Sequence, residues 1–300
     1  MQLEHVTCDL CGSDDYRVRY RKPDDWLKGE FFEFPVVECL QCGLVYVNPR
    51  PTMDCMKSFY PDGYHHGRDT IEHTRRYKIQ SDMLPSLGDT KVLDVGCANG
   101  DFLNYLLQEG NDFEAHGLDA HAQGTVNEKI VFEKGTLPNG VYAADSFDVV
   151  MAWAVFEHLH SPMQYFAEAS RILKSRGLLI ILVTNSNSIY GRFAYAEDVP
   201  RHTYHFSRKT LIAYGERNEL EMVDLDHRDD IFDGRGMGCF NFLLGRAVGL
   251  TWKKIMSNEI STVQQAFRRI GSLIDRMIFS WHWESKMGIS GIMIATYRKK

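Results

Sequence analysis

Four cysteines lie in two Cys-x-x-Cys-Gly turns, Cys8-Asp9-Leu10-Cys11-Gly12 and Cys39-Leu40-Gln41-Cys42-Gly43, separated by 27 residues. In each turn the glycine lets the chain fold back so that backbone amides point at the thiolates. Two such turns face to face close a tetrahedral S4 site for zinc with no position for water, so the metal is structural. A second set of residues is Lys91-Val92-Leu93-Asp94-Val95-Gly96-Cys97-Ala98-Asn99-Gly100-Asp101. It reads as a buried parallel strand, a glycine turn and the start of a helix whose N-terminal amides face negative charge. About twenty residues on, Gly117-Leu118-Asp119 ends a second strand on a carboxylate placed to accept hydrogen bonds from a ribose diol. A third set is Pro200-Arg201-His202-Thr203-Tyr204-His205-Phe206-Ser207. It sits in a loop after the fifth strand, at the sheet edge where open α/β folds bind ligands. His202, Tyr204 and His205 are the general-base candidates there, because histidine titrates near neutrality. The alternative is that these side chains hold the loop by hydrogen bonds.

The second set implies a nucleoside cofactor, either NAD or S-adenosylmethionine. A dinucleotide fingerprint needs Gly-x-Gly-x-x-Gly to seat a pyrophosphate. Here the middle glycine is replaced, and Asp94 stands two residues before the first one. An anionic Asp94 repels a pyrophosphate but suits the cationic sulfonium and ammonium of S-adenosylmethionine, which is therefore the expected cofactor.

The segment resembles motif I of the class I S-adenosylmethionine-dependent methyltransferases, with Ala98 where many members have glycine. Ser146-Phe147-Asp148-Val149-Val150-Met151-Ala152-Trp153-Ala154-Val155-Phe156-Glu157-His158-Leu159 resembles the strand that runs into a helix in that family. Pro200–Ser207 resembles its His-x-x-x-Phe-Ser segment. The order Cys-x-x-Cys, Cys-x-x-Cys-Gly-Leu-Val, Asn48-Pro49-Arg50-Pro51, then Phe59-Tyr60 and Tyr64, resembles a bacterial branch with an N-terminal zinc ribbon. Members of that branch often act in sugar or surface-polysaccharide biosynthesis. The resemblance implies a cradle from Gly96, Cys97, Ala98, Asn99 and Gly100, with Asp94, Asp119 and Ala120 anchoring the cofactor. It places Thr136 and Leu137 at the adenine, Ala152 and Trp153 beside the sulfonium, and Tyr60 and Tyr64 as a lid. It also implies zinc on Cys8, Cys11, Cys39 and Cys42. Glu157 and His158 read as capping or packing residues.

The elements that position these residues give an α/β fold: a Rossmann-like seven-stranded sheet with a small zinc ribbon and a helical insertion before the last strand. The boundaries are 1–48 for the ribbon, 49–88 for a linker with lid and helix, and 89–230 for the cofactor-binding domain. The insertion takes 231–289, and 290–300 is the last strand. Only about ten residues separate Asp119 from the next strand, so the sheet's middle helices are short or missing. Within the insertion, Val263, Ala266, Phe267, Ile270, Leu273 and Ile274 form one apolar stripe with Arg268, Arg269 and Arg276 outside it. This stripe reads either as a helical cap packed on the substrate mouth or as a basic amphipathic surface for a membrane.

The 300 residues are 44% hydrophobic and 25% charged, the composition of a globular protein. No apolar run is long enough to span a bilayer and no apolar h-region follows Met1, so the cytoplasm is the expected compartment. Residues 231–300 carry eleven Lys/Arg against four Asp/Glu, a net +7, while the first 230 carry 23 against 36, a net −13. An acidic body argues against wrapping duplex nucleic acid. The expected substrate is a small-molecule or sugar-type acceptor, nucleotide- or lipid-linked. The competing reading is an RNA methyltransferase whose ribbon recognises nucleic acid.

Overall fold

The strand that carries the glycine turn lies inside the sheet, third from one edge. The computed structural model describes all residues except 25–31, 61–69, 123, 190–197, 229, 233–237, 252–253 and 255–258. The N-terminal part contains β1 (Leu3–Glu4), β2 (Tyr16–Pro23), β3 (Glu33–Cys39), β4 (Val45–Val47) and β5 (Arg50–Pro51), then α1 (Met53–Met56) and α2 (Thr70–Ser81). The parallel core follows with β6 (Lys91–Val95), α3 (Asp101–Gln108), β7 (Glu114–Asp119), β8 (Val131–Lys134), β9 (Phe147–Trp153), α4 (Pro162–Ile172) and β10 (Leu173–Thr184). After it come β11 (Tyr204–His205), α5 (Arg208–Arg217), β12 (Leu220–His227), α6 (Cys239–Ala247), α7 (Thr262–Ile278), α8 (Trp283–Lys286) and β13 (Ile292–Lys299).

Seven strands make one sheet in the order β12-β13-β10-β9-β6-β7-β8. β13 is antiparallel to both of its neighbours, and β10, β9, β6, β7 and β8 pair in parallel. The central strands read as continuous apolar runs because both faces are covered. Leu93, Val95, Val150, Ala152, Ile181 and Val183 face a core with α4 and α5. Val92, Val149, Met151, Ile180 and Leu182 face the side of Phe102, Leu103 and Leu106 from α3. Among the described residues, neither 120–130 nor 135–146 forms a helix, which agrees with the trimmed connections expected from their length.

The ribbon is not a separate body. β2, β3 and β4 form an antiparallel sheet whose fourth strand is β11, from the loop that carries the histidines. Tyr204 pairs with Tyr46 and His205 with Val45. Cys8, Leu10, Val37, Cys39 and Tyr46 pack into the same core as Phe166, Leu211 and Tyr214. Single-sequence reading drew a boundary at residue 48 because the β11 partner is distant in the chain and only two residues long.

Two polar clamps hold this junction. Asp9, inside the first Cys-x-x-Cys turn, accepts from Met163 N at 2.8 Å, from the Ser161 hydroxyl at 2.8 Å and from the Tyr214 hydroxyl at 2.9 Å. Ser161 makes no cap of its own for α4, so the ribbon caps that helix. Asn48 exchanges side-chain hydrogen bonds with both backbone groups of Val6. Arg50 donates to Glu4, to the His160 carbonyl and to the Tyr204 hydroxyl. The Asn-Pro-Arg-Pro motif thus fastens the ribbon to the domain.

Replacing Asp9 by alanine strands two helix-terminus donors and the hydroxyl of a tyrosine whose side chain is fully buried. The expected loss is about 2–4 kcal/mol of unfolding free energy. Denaturant titration of the purified protein measures it, and an unmoved midpoint would show that the clamp carries no stability.

Candidate active site

The glycine turn follows β6 with Gly96 at φ 76°, Ala98 at φ 49° and Gly100 at φ 78°. At Gly96 a Cβ would stand 2.5 Å from Val155 Cγ2, so only glycine lets the turn and the end of β9 come this close. Gly100 then opens α3, whose first amides lie beside the turn. Cys97 is buried against Gly117, where a Cβ would meet its sulfur at 2.7 Å, so Cys97 packs the turn onto β7. Asn99, whose carbonyl accepts from Val126 N, is exposed with Ala98 at the mouth.

Asp119 braces this turn. One carboxylate oxygen accepts from Ala98 N at 2.9 Å, and the other accepts from His121 N and Ala122 N. A carboxylate offers about four acceptor sites, so a ribose hydroxyl still has a place on it. Ala120 is half-buried beside it. Asp94 is buried, and that burial pushes its pKa up to about 8; Arg76 of α2 pulls it down and Asp119 pushes it up. A carboxyl held neutral because its burial outweighs the pull of Arg76 suits a cationic ligand end.

At the end of β9, Ala152 and Trp153 point to opposite faces of the sheet, Trp153 lying edge-on against Phe102 at 5.6 Å. Leu137 is buried and Thr136 exposed, both next to Tyr165. Tyr64 lies outside the described residues. Tyr60 is described, and its hydroxyl is 3.3 Å from His158 Nδ1.

The third predicted set is divided by the structure. Tyr204 is 1% exposed, stacks on Tyr46 and lies under Arg50, and burial holds its hydroxyl well above the usual tyrosine range. His205, also 1% exposed, is a ribbon-sheet residue. Both side chains are closed off from an acceptor. His202 is half-buried and meets His158 edge to face with ring centroids 4.6 Å apart. Glu157, His158 and His202 each offer one donor atom, and these atoms lie within 4.8 Å of one another. Burial first, then His202, lowers the His158 pKa to about 3, so its ring is neutral. Its ring also hydrogen-bonds the Arg201 backbone, which leaves Nδ1 to accept from Tyr60. Burial, then Asp198, pushes Tyr60 up to about 12, so it stays a donor. Val155 on Gly96 joins this cluster to the turn, since Glu157 and His158 come two and three residues after it.

Arg201, beside His202, was missed as a site-building residue. It is fully buried and donates to Asp24, Asp198 and the Phe59 carbonyl. Asp24 is 177 residues away, and no local pattern announces that pairing. A cleft of about 620 Å³ opens between Arg17 and Arg19 on β2 and Ser186, Asn187 and Lys209 on the domain. None of residues 94–100 lines it, so it is distinct from the turn.

A family description for a methyltransferase domain matches residues 71–225, just over half of the chain. The chain belongs to the methyltransferase domain family. It is a class I S-adenosylmethionine-dependent methyltransferase, and its seven-stranded sheet agrees with that fold. It is 24% identical over 177 residues to a ubiquinone biosynthesis O-methyltransferase of Bradyrhizobium sp. (strain ORS 278), covering 54% of this chain and 67% of that protein. It is 26% identical over 146 residues to the 27-O-demethylrifamycin SV methyltransferase of Amycolatopsis mediterranei, covering 43% and 53%. The chain thus spans between about half and two thirds of these relatives. A chain from the complex of the Haloferax volcanii Trm112 methyltransferase activator with a methyltransferase shares the fold, with TM-score 0.52 and 16% identity. That match covers 76% of this chain and 92% of the other.

The residues of this methyltransferase fit its cofactor: a turn closed to side chains, free amides at a helix start and a neutral buried acid. Binding the cationic end lowers the Asp94 pKa and releases a proton below pH 8. Calorimetry of S-adenosylmethionine binding near pH 7, in buffers of different ionisation enthalpy, should therefore show release approaching one proton. Asp94→Asn should abolish the release and weaken binding about tenfold. Without ligand, Asp94 makes the fold less stable as pH rises from about 4 to about 8, because only the unfolded chain ionises there. Asp94→Asn should flatten that slope.

Proposed function

We propose that the protein is an O-methyltransferase for a small-molecule acceptor, with His202 taking the acceptor proton and His158 and Tyr60 positioning it. The observation that carries this is the Tyr60–His158–His202–Glu157 cluster beside the glycine turn. S-adenosylmethionine supplies the electrophilic methyl group when bound. His202 is the one histidine of its loop with open surface, so it meets the acceptor hydroxyl. His158 is neutral and fixed between the Arg201 backbone and the Tyr60 hydroxyl, and it holds the His202 ring edge-on. Glu157 places a carboxylate next to both rings, which favours the imidazolium formed as the proton moves. Both sides of the His158 ring are engaged, so it keeps no lone pair for a metal, which favours a positioning role for it. Most of the rate comes from orientation of the two reactants, with proton transfer adding to it.

The relatives named as O-methyltransferases of small molecules support this acceptor class. The finer reading is a sugar-type hydroxyl carried on a nucleotide or lipid phosphate. Arg17, Arg19 and Lys209 around the ribbon cleft, against Glu38, give it the net positive lining that such a phosphate needs. RNA is not favoured, because the first 230 residues carry 36 Asp/Glu against 23 Lys/Arg.

The proposed base is tested on a panel of nucleoside-diphosphate sugars, polyprenyl-phosphate sugars and phenols, followed by S-adenosylhomocysteine release. On the acceptor that turns over, His202→Ala should lower kcat by about 10²–10⁴-fold with cofactor affinity unchanged. Tyr204→Phe should keep its kcat. Full turnover by His202→Ala would remove the histidine from the chemistry.

We also assign Cys8, Cys11, Cys39 and Cys42 to a structural zinc. Cys8 and Cys42 sulfurs are 3.4 Å apart and those of Cys11 and Cys39 3.5 Å, close to the edge of about 3.8 Å in a ZnS4 tetrahedron. At Cys39 burial pushes the thiol up, but amides of Cys42 and Gln41 outweigh it and hold the thiol at about 7. Elemental analysis should find about one zinc per chain, lost in Cys39→Ser/Cys42→Ser. The metal-free protein should melt well below the loaded one, because Asp9 loses its anchor; equal melting would separate ribbon from domain.

A further inference from the structure

Helix α7 is turned inside out. Its buried positions are Gln264, Gly271 and Asp275, all small or polar, and they face α6. Its apolar side is in solvent: Val263 is 58% exposed, Phe267 36%, Ile270 49%, Leu273 59% and Met277 79%, with Trp281 at 83% just past its end. The sequence reading of a cap packed by its stripe is therefore overturned, since the other face does the packing.

The rotation is locked. The Asp275 carboxylate accepts from the amides of Phe240 and Asn241 at 2.9 Å each, in the first turn of α6. A Cβ at Gly271 would stand 2.5 Å from the Asn241 backbone, so the helices touch there without side chains. Gln264 donates to the Val248 carbonyl at the other end of α6, and Asn241 bonds the Arg268 carbonyl and the Ser272 hydroxyl. Turning the stripe inward would break all of these. The helix pair is anchored near the ligand edge of the sheet, where Phe279 and Cys239 pack on Ile189, four residues beyond Asn185.

We propose that this outward face of α7 docks on an anionic lipid bilayer. The stripe from Val263 to Trp281 is about 27 Å long at 1.5 Å per residue, the form of a helix lying in the interface plane. Arg269 and Arg276 are exposed along one border of it, and Lys286 is exposed beyond Trp281. Neither arginine has an acidic partner among the described residues. That charge complements an anionic headgroup layer, while a two-fold contact with a second copy would set these cations against their equivalents. Trp281 with its indole and Met277 with its flexible stem suit the boundary between headgroups and acyl chains. No described helix is long and apolar enough to cross a membrane, so the contact is peripheral.

The test is co-sedimentation of the full chain with phosphatidylcholine vesicles, with and without about one quarter phosphatidylglycerol, and it needs no methyl acceptor. Wild type should bind the anionic vesicles and bind them less as salt rises. Ile270→Glu/Met277→Glu should bind at least about tenfold more weakly, and Arg269→Glu/Arg276→Glu about tenfold more weakly on the anionic vesicles. Unchanged S-adenosylmethionine affinity in each variant certifies the fold. Wild type that ignores both vesicles, or an Ile270→Glu/Met277→Glu protein that binds like wild type, overturns the proposal. So does a wild-type dimer in sedimentation velocity that the same double variant turns into monomers while vesicle binding is absent.

Discussion

One guanidinium holds the site together. Arg201 has no exposed side-chain surface, and neither has Asp24. A charge removed from water is tolerable only with its hydrogen-bonding capacity met, and the planar fork of arginine allows it to be met from several directions at once. Here Asp24 reaches in from the end of β2, Asp198 from the loop before β11, and the Phe59 carbonyl from the segment carrying Tyr60. Three parts of the chain that share no local structure are thereby fixed at one atom group. His202 is the next residue, its amide bound to the Asp198 carbonyl at 2.7 Å, and His158 rests on the Arg201 backbone. The geometry of both rings follows from a charge that cannot be left unpaired.

The ribbon takes part in the same logic. A small cysteine-turn unit can hold only itself together, but Asp9 ties this one to the domain. That residue sits between Cys8 and Cys11, so its carboxylate is placed by the first cysteine turn, and it caps α4 and binds Tyr214 of α5. Arg50 works on the other side, binding the Tyr204 hydroxyl and the His160 carbonyl. Tyr204 and His205, which sequence reasoning offered as bases, are the strand through which the ribbon grips the loop of His202. They hold the loop, and His202 alone of the three keeps a surface.

What sequence reading supplied follows from how local each signal is. The turn from Asp94 to Gly100, the strand ends at Asp119 and Trp153, and the capping Ser207 of α5 all depend on neighbours a few residues away, and the fold keeps them. The paired cysteine turns are far apart but carry their own spacing signature. The Arg201 triad, the Asp9 cap, Arg76 over Asp94 and the β11–β4 pairing have no such signature, because each partner is an ordinary residue made special only by distance folding. The periodicity of α7 gave the helix and the stripe but not its direction. A helical repeat says which residues share a face, while the choice of face to bury was made here by Gly271 and Asp275.

The ribbon sheet also sets an order of events for the growing chain. Its three consecutive strands and all four cysteines leave the ribosome before the parallel core is made. The fourth strand arrives about 160 residues later, behind the whole parallel core. Until then β4 presents an open edge, with Tyr46 and Leu44 uncovered, the kind of edge that invites pairing with another chain. The nascent protein thus carries a three-stranded template that waits for a strand made only after the parallel core, and any truncation before residue 205 leaves that template bare.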